Sequence, residues 1–235
     1  MKLDTRLHGD NYVRSRLTPR YRQVDYLCLS DIATWLASVA GTFAGRRILD
    51  YGSGSAPYRS MFGESEYVCA DFGLEETPSS VALREGGLLS STSNSFGAVM
   101  SFQVLEHVDD PATYLSEARR VLEDDGLLLL TTHGIFPKHS VPVDYWRWTA
   151  DGLIRTVSNA GFQVESTVRL TTSRRAIAQL ALLKSPRSNV MRLLVPALNW
   201  SVDRLSHRSA VVVGDESDGD LAVIVGIVAR RVELS

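Results

Sequence analysis

Residues 48–58 read ILDYGSGSAPY, and this stretch decides the fold more than any other part of the chain. A short apolar run ends in an acid, Asp50, and a turn that contains Gly52 and Gly54 follows at once. Glycine permits a tight turn and lets the backbone come close to a ligand. An acid beside exposed backbone N–H groups suits a ligand that carries both a cation and hydroxyl groups, and it repels phosphate.

The composition is that of an ordinary globular protein. The chain has 235 residues, 44% of them hydrophobic, and a formal net charge of -2, so we expect one domain with an elaboration. This balance gives no general attraction to nucleic acid. Two cysteines, Cys28 and Cys69, predict buried thiols in a reducing compartment. We see no signal peptide and no run of about 18 apolar residues, which predicts a cytoplasmic protein without a transmembrane segment.

Strand and helix patterns alternate along most of the chain. Apolar residues recur every three to four positions from Val24 to Val39, which predicts a helix within an N-terminal helical segment, residues 1–44. Asp110 and Thr149 are suitable N-caps for helices over about 111–123 and 150–160. Apolar runs predict strands at 47–51, 66–71, 96–102, 127–132, 162–170 and 221–230, and a turn at 124–126. A helical insertion, 174–206, with breaks at Pro186 and Pro196, precedes the last strand of a domain that spans 45–235.

The strands are apolar on both faces, which indicates an α/β fold with a parallel sheet covered by helices on both sides. Such sheets bind ligands at the carboxyl ends of their strands. Asp50, Asp71, residues 102–107 and His133 all follow or end a predicted strand. We therefore expect one cleft to collect them.

A dinucleotide site is the first alternative for the glycine turn. Its fingerprint requires a third glycine, where the helix packs closely on the strand. Pro57 stands at that position in this chain. Because proline removes a backbone donor and leaves no room for that close approach, a pyrophosphate cradle and an NAD-linked dehydrogenase are disfavoured.

Several motifs, in order along the chain, resemble those of the class I S-adenosylmethionine-dependent methyltransferases. Residues 48–54 resemble the first motif of that family, 68–71 (VCAD) the second, and 100–108 (MSFQVLEHV) the fourth. Residues 122–130 resemble the segment that enters strand five, and 151–162 resemble the late helix and its turn into strand six. The resemblance is collinear from about residue 45 to 170. It implies a Rossmann-like, doubly wound sheet of seven strands, mostly parallel, with the last strand antiparallel.

The resemblance also implies roles for individual residues around S-adenosylmethionine. Gly52 and Gly54 would pass under the methionine part, Asp50 would orient its amino group and Asp71 would hold the ribose. Phe72 would pack on the adenine. The full set of expected cofactor-binding residues is Asp50, Gly52, Ser53, Gly54, Asp71, Phe72, Glu85, Gln103 and His107. The alternative is an ordinary strand–helix turn at the glycines and a surface turn acid at Asp71.

Glu106 and His107 follow the third predicted strand, 96–102. In the quinone-pathway O-methyltransferases, which this part of the chain resembles, a glutamate three residues earlier completes a trio for a divalent metal. Gln103 occupies that position here, and a neutral amide is a poor substitute for a carboxylate. We therefore expect no metal, and we expect Glu106 and His107 to brace the loop.

We expect residues 133–149 to form the binding site of the methyl acceptor. His139 is preferred as the general base, with His133 near the methyl group and Asp144 beside them, because a base with a pKa near neutral helps a hydroxyl acceptor. Expected substrate-binding residues are Tyr145, Trp146, Arg147 and Trp148. The alternatives are that both histidines only hold the loop, and that Asp144 and Arg147 form a structural ion pair. The region resembles methyltransferases found among bacterial glycan and cell-envelope enzymes.

These observations predict an S-adenosylmethionine-dependent methyltransferase that O-methylates a small-molecule or glycan-type acceptor. The alternatives are an N- or C-methyltransferase of a small metabolite and a non-catalytic cofactor-binding subunit. Insertion 174–206 is read as a lid, a dimer surface, a membrane-leaning hairpin or a cap on the core, and the cap is favoured. A homodimer through this insertion is one expectation. Nucleic acid is not an expected partner.

Overall fold

The computed structural model describes residues 10–139, 143–186, 188–206, 211–214 and 221–233. Residues 1–9 and 187, which belong to the predicted N-terminal segment and insertion, lie outside this part. The described chain contains a sheet of eight strands. They are β1 (Arg47–Tyr51), β2 (Glu66–Asp71), β3 (Ser80–Ala82), β4 (Phe96–Phe102), β5 (Leu122–His133), β6 (Phe162–Thr172), β7 (Val211–Val213) and β8 (Ala222–Arg231).

The sheet has the order β3-β2-β1-β4-β5-β8-β6-β7. Strands β1 to β5 pair in parallel, whereas β8 lies antiparallel between β5 and β6, and β7 is antiparallel to β6. The Rossmann-like fold and its antiparallel last strand are thus confirmed. The strand order reverses between β1 and β4, which is where such sheets bind ligands. The described sheet has eight strands where the resemblance implied seven. Six of the eight were predicted from apolar runs, and the other two, β3 and β7, have only three residues each and are too short to leave a sequence pattern.

Six helices accompany the sheet in the described residues. They are α1 (Asp10–Leu17), α2 (Tyr26–Val39), α3 (Pro111–Val121), α4 (Ala150–Asn159), α5 (Ser173–Leu183) and α6 (Asn189–Leu205). Both predicted N-caps are confirmed. Asp110 accepts hydrogen bonds from the amides of Ala112 and Thr113, and the Thr149 hydroxyl accepts one from Gly152.

Two local predictions are wrong. The turn expected at 124–126 lies inside β5, where the register against β4 passes from Phe96 opposite Leu122 to Ala98 opposite Leu127. The extra residues form an irregularity that the sheet accommodates without ending the strand. Pro196 does not break α6, which continues through it. Val195 and Asn199 are buried on either side of the proline, so tertiary packing holds the helix together.

The core lies on both faces of the sheet. Alternate residues of β1 point to opposite sides, so Leu49 joins the cluster packed under α3 and α4, and Ile48 joins the cluster packed under α2. β1 is therefore buried on both faces, and its carboxyl end is the rigid base of the glycine turn. Cys28 is buried and Cys69 is half-buried, both as free thiols.

Residues Tyr26–Phe43 are the one stretch in the described chain that is long and apolar enough to span a membrane. Half of this stretch is buried inside the fold. Its Asp31 carboxylate pairs with the Arg175 guanidinium at 2.7 Å, and both side chains are buried. These contacts are those of a core helix. They also join α2 to α5, so the insertion packs on the N-terminal segment.

Candidate active site

The glycine turn after β1 is closely held. Gly52 has φ +83°, and a Cβ added there would lie 2.7 Å from both Cγ atoms of Val104. The amides of Gly52 and Ser53 donate to the carbonyl of Ala70 at 2.8 and 3.0 Å. Only glycine suits this position, because a side chain would meet both an unfavourable backbone conformation and Val104. The turn is therefore fixed between β2 and the loop after β4.

Two carboxylates flank the turn in different environments. Asp50 is buried, accepts a hydrogen bond of 2.7 Å from the Tyr67 hydroxyl, and has its pKa raised by burial to about 7. Asp71, at the tip of β2, accepts from the amide of Gly54 at 2.5 Å and from that of Phe72 at 2.7 Å. Asp71 thus ties the glycine turn to the end of β2.

Gln103, which follows β4, has a strained backbone conformation. It has φ +58°, an uncommon conformation for a residue other than glycine. Its Nε2 donates to Thr131 Oγ1 at 3.0 Å, while its buried Oε1 and the buried Ser53 Oγ have no hydrogen-bond partner among the described residues. Buried polar atoms without partners are uncommon, and these two atoms are open to a polar ligand.

These features fit S-adenosylmethionine. Two carboxylates suit its cationic groups and ribose hydroxyls, the glycine turn allows close approach, and the unpartnered atoms of Gln103 and Ser53 offer further polar contacts. Phe72 is 43% exposed beside Asp71, where a ring can lie against adenine. Glu85 is exposed in a short turn, Glu85–Gly87, whose Gly87 carbonyl accepts a hydrogen bond from Tyr51.

Two tyrosines under the turn were missed by the sequence analysis. The rings of Tyr51 and Tyr114 stack with centroids 3.9 Å apart, and the Tyr114 hydroxyl donates to the Tyr51 carbonyl at 2.9 Å. They brace β1 against α3 directly below Gly52. Nothing in the local pattern indicates this contact, because the two residues are distant in sequence.

A buried cluster of one glutamate and two histidines lies at the same edge of the sheet. Glu106 has 0% exposure, and its Oε2 accepts from Thr132 Oγ1 at 2.8 Å. Its Oε1 lies 2.8 Å from His133 Nδ1, which in turn lies 3.2 Å from His139 Nε2. Both histidines were expected on the acceptor side, whereas Glu106 was expected only to brace the loop.

The electrostatics of this cluster bear on the choice of a base. Burial raises the pKa of Glu106, but the contact with His133 and the other groups nearby together lower it by more. The pKa of Glu106 is therefore below its usual value, and the carboxylate is ionised. Burial, followed by the nearby His133, lowers the pKa of His139 to about 4. His139 is therefore neutral and weakly basic near pH 7, which disfavours it as the general base.

His107 lies beside the cluster, and its Nδ1 faces the loop that follows residue 142. Its ring centroid is 4.9 Å from that of His139, its Nδ1 contacts the carbonyl of Val143, and its Nε2 is 4.0 Å from Glu106 Oε1. It therefore packs against the cluster and holds the loop that follows residue 142. The expected contact of His107 with the cofactor stays a prediction.

Asp144 and Arg147 form an ion pair within the loop. Arg147 contacts both carboxylate oxygens, at 2.5 and 2.6 Å, and also donates to the carbonyls of Phe136 and Pro137. Asp144 accepts from the His139 amide at 2.9 Å, and the Arg147 guanidinium holds the pKa of its carboxyl well below the usual range. The contacts match the structural alternative, in which the pair shapes the loop that carries His139.

Two exposed aromatic residues, Tyr145 and Trp146, and the half-buried Trp148 follow in this loop. Tyr145 is 49% and Trp146 is 40% exposed, and the rings of Trp146 and Trp148 lie 5.9 Å apart. The Tyr145 amide donates to the Glu106 carbonyl at 2.8 Å, and Trp146 Nε1 donates to the Val108 carbonyl at 2.7 Å. These two hydrogen bonds hold residues 145–148 against the turn that contains Glu106.

Comparison with known proteins finds one matching family. Residues 21–167, more than half of the chain, match the family described as a methyltransferase domain. A ubiquinone biosynthesis O-methyltransferase of Cereibacter sphaeroides is 29% identical over 110 residues, which cover 41% of this chain and 44% of that protein. The same protein of a Ruegeria species matches with the same identity and coverage. The alignment thus spans less than half of these curated relatives.

Solved structures share the fold. An S-adenosylmethionine-dependent methyltransferase from Mesorhizobium loti has a TM-score of 0.54 at 14% identity, covering 86% of this chain and 98% of that chain. A phosphoethanolamine N-methyltransferase of Haemonchus contortus, solved with phosphomonomethylethanolamine and S-adenosylhomocysteine, has a TM-score of 0.54 at 15% identity, covering 94% of this chain and 60% of that chain. Identities this low establish the fold alone.

Proposed function

This chain belongs to the methyltransferase-domain family and is an S-adenosylmethionine-dependent methyltransferase, and from that premise we propose that it methylates a hydroxyl oxygen of a small-molecule acceptor. The observation that carries the proposal is the buried cluster of Glu106, His133 and His139 at the edge of the sheet where the cofactor residues lie. A hydroxyl must lose its proton to become a good nucleophile, whereas a neutral amine needs no such help.

The cofactor would supply an electrophilic methyl group on a sulfonium. The acceptor oxygen would form the new C–O bond, the S–C electron pair would stay on sulfur, and the hydroxyl proton would pass to the cluster of Glu106, His133 and His139. The residues of this chain act mainly by positioning. Asp71 would accept hydrogen bonds from the ribose hydroxyls, Asp50 would pair with the amino group, and the Gly52–Gly54 turn would bring the backbone close to the cofactor. Fixed geometry of this kind accounts for much of the rate of a group transfer.

The acceptor we propose is a hydroxylated ring. Tyr145 and Trp146 expose aromatic surface above Glu106, and flat apolar surfaces of this kind suit an aromatic ring or the face of a sugar. The curated relatives are O-methyltransferases of ubiquinone biosynthesis, which supports a phenolic ring over a sugar. A glycan-type acceptor is the second candidate, because Trp146 and Trp148 lie close together.

Release of S-adenosylhomocysteine with a panel of acceptors tests the proposal. The panel contains a catechol, a monosaccharide and a primary amine, each offered with S-adenosylmethionine. We expect turnover with a hydroxyl acceptor and none with the amine. His133→Ala should lower kcat by roughly 100-fold or more, the usual contribution of proton transfer, without weakening cofactor binding.

The matched control is Glu66→Ala, which changes an exposed carboxylate far from the cleft and should leave kcat unchanged. Methylation of the amine together with indifference to His133→Ala would overturn the O-methyl proposal in favour of N-methylation. Turnover with the catechol alone would indicate a phenolic acceptor, and turnover with the monosaccharide alone would indicate a glycan-type acceptor.

A further inference from the structure

We propose that Glu106, His133 and His139 bind a divalent first-row metal ion of the zinc type. The three available ligand atoms, Glu106 Oε1, His133 Nδ1 and His139 Nε2, all lie within 4.8 Å of one another. Oε1 and Nδ1 are 2.8 Å apart, and Nδ1 and Nε2 are 3.2 Å apart. Ligands of tetrahedral zinc, each about 2.1 Å from the ion, are separated by roughly 3.4 Å. Small side-chain movements therefore suffice to admit the ion.

The buried Glu106 carboxylate gives an independent reason for a cation. Its side chain is completely buried, and its Oε1 faces two imidazole nitrogens, His133 Nδ1 at 2.8 Å and His107 Nε2 at 4.0 Å. A buried carboxylate charge is costly unless a positive charge lies beside it, and a metal ion between Oε1 and the imidazole nitrogens supplies that charge. Thr132 Oγ1 already donates to the other oxygen, Oε2, which fixes the carboxylate in the manner of an outer-shell partner of a metal ligand.

The chemistry of the three ligand atoms determines which metal ion they bind. Two imidazole nitrogens and one carboxylate oxygen suit zinc and its first-row neighbours, and three protein ligands leave a fourth position open. Magnesium and calcium prefer all-oxygen sites. We therefore expect zinc and cobalt to bind and magnesium not to bind.

This site differs from the trio that the resemblance raised. Gln103 donates its Nε2 to Thr131 and offers no carboxylate, and His107 Nδ1 contacts the Val143 carbonyl. Of that trio only Glu106 takes part, and its partners come from the end of β5 and the loop that follows. No sequence pattern joins these residues, because His133 and His139 lie 27 and 33 positions after Glu106.

The role of the ion rests on the proposed function. An acceptor hydroxyl that occupies the open position would lose its proton more readily, because a metal ion lowers the pKa of an oxygen bound to it. Metal binding itself needs no acceptor and no cofactor. A failure of the O-methyl proposal would therefore leave the metal measurement intact, and the two results can be told apart.

Cobalt and zinc binding to the chelator-treated protein provides the test. Visible absorption of added Co²⁺ should show a four-coordinate spectrum at one ion per chain, and Zn²⁺ should displace it. His139→Ala and His133→Ala should each weaken Zn²⁺ binding at least about 10-fold. His139 lies in a loop and is only half-buried, so its variant tests the ligand set even if His133→Ala fails to fold.

His107→Ala is the matched control, since it removes a neighbouring imidazole outside the ligand set. Its Zn²⁺ affinity should stay within about threefold of the unaltered protein, well below the loss expected for a true ligand. The proposal is overturned if the unaltered protein does not bind Zn²⁺, or if His139→Ala binds as the unaltered protein does. Loss of binding in His107→Ala alone would assign the ion to the other trio and also contradict it.

Discussion

Asp50 is a buried carboxyl group whose one hydrogen bond from a described side chain comes from the Tyr67 hydroxyl. Burial raises its pKa to about 7, although that hydrogen bond favours the carboxylate. In the free protein at pH 6 the group is therefore mostly protonated. A cationic ligand beside it stabilises the charged form, so binding and ionisation of Asp50 are coupled.

This coupling predicts a pH dependence of cofactor binding. Below its raised pKa, Asp50 must release a proton when the amino group of S-adenosylmethionine binds, so affinity should rise with pH from 5.5 to 7.5, by at most about 10-fold per pH unit. Calorimetry in two buffers of different ionisation enthalpy would measure the proton released. Asp50→Asn is the control, and its affinity should not change with pH. A flat profile for the unaltered protein would contradict the role of Asp50.

Gly52 provides a second test at the level of one residue. Gly52→Ala would place a methyl group 2.7 Å from Val104 and force alanine into φ +83°, which costs about 1–2 kcal/mol for the backbone alone. We expect weaker cofactor binding and a lower free energy of unfolding, with partial recovery in the Gly52→Ala, Val104→Ala double variant. Gly41→Ala is the matched control, because nothing lies within 4 Å of a Cβ there. Equal behaviour of the two single variants would refute the close packing of the turn.

At the scale of elements, a buried ion-pair network holds the helices of the insertion against the N-terminal segment. Arg175 on α5 contacts Asp31 on α2 through two nitrogens, at 2.8 and 2.7 Å, and its third nitrogen lies 2.9 Å from Asp203 on α6. Asn199 adds two hydrogen bonds of 2.7 Å, to the carbonyls of Tyr21 and Gln23. The insertion therefore depends on polar contacts as well as on apolar burial.

Removing one partner of this network should be costly. Asp31→Ala leaves Arg175 buried without its main counter-charge, and breaking a buried pair in this way lowers the free energy of unfolding by about 3–5 kcal/mol. Urea unfolding followed by circular dichroism measures the change. Glu66→Ala, which breaks an exposed pair with Arg47, should cost at most about 1 kcal/mol. Similar losses in both variants would mean that the buried network does not hold these helices.

Elements specified by local signals were predictable from sequence. Asp110 and Thr149 mark the starts of α3 and α4 because an N-cap acts on amides two or three residues away. The irregularity in β5 and the continuity of α6 through Pro196 were missed, since both depend on packing against distant segments. The short strands β3 and β7 exist only through pairing with β2 and β6.

At the scale of the whole molecule, the sheet gathers residues from separate strand ends into one cleft. The meeting of Asp50, the glycine turn and Asp71 at one edge of the sheet was predictable, because each lies at the end of a strand that the sequence shows clearly. Tyr67, Tyr114 and the contact of Glu106 with His133 were not predictable, since each depends on the register of neighbouring elements. The fold and the cofactor are thus better specified by sequence than the acceptor side is.

Calorimetric binding of S-adenosylmethionine to the unaltered protein and to Asp71→Ala tests the central claim most directly. Asp125→Ala, an exposed acid remote from the cleft, serves as the control. We predict one site per chain in the unaltered and control proteins, and a loss of at least about 10-fold in Asp71→Ala, equivalent to 1.4 kcal/mol or more. No binding to the unaltered protein, or equal binding to Asp71→Ala, would contradict the assignment of this cleft as the cofactor site.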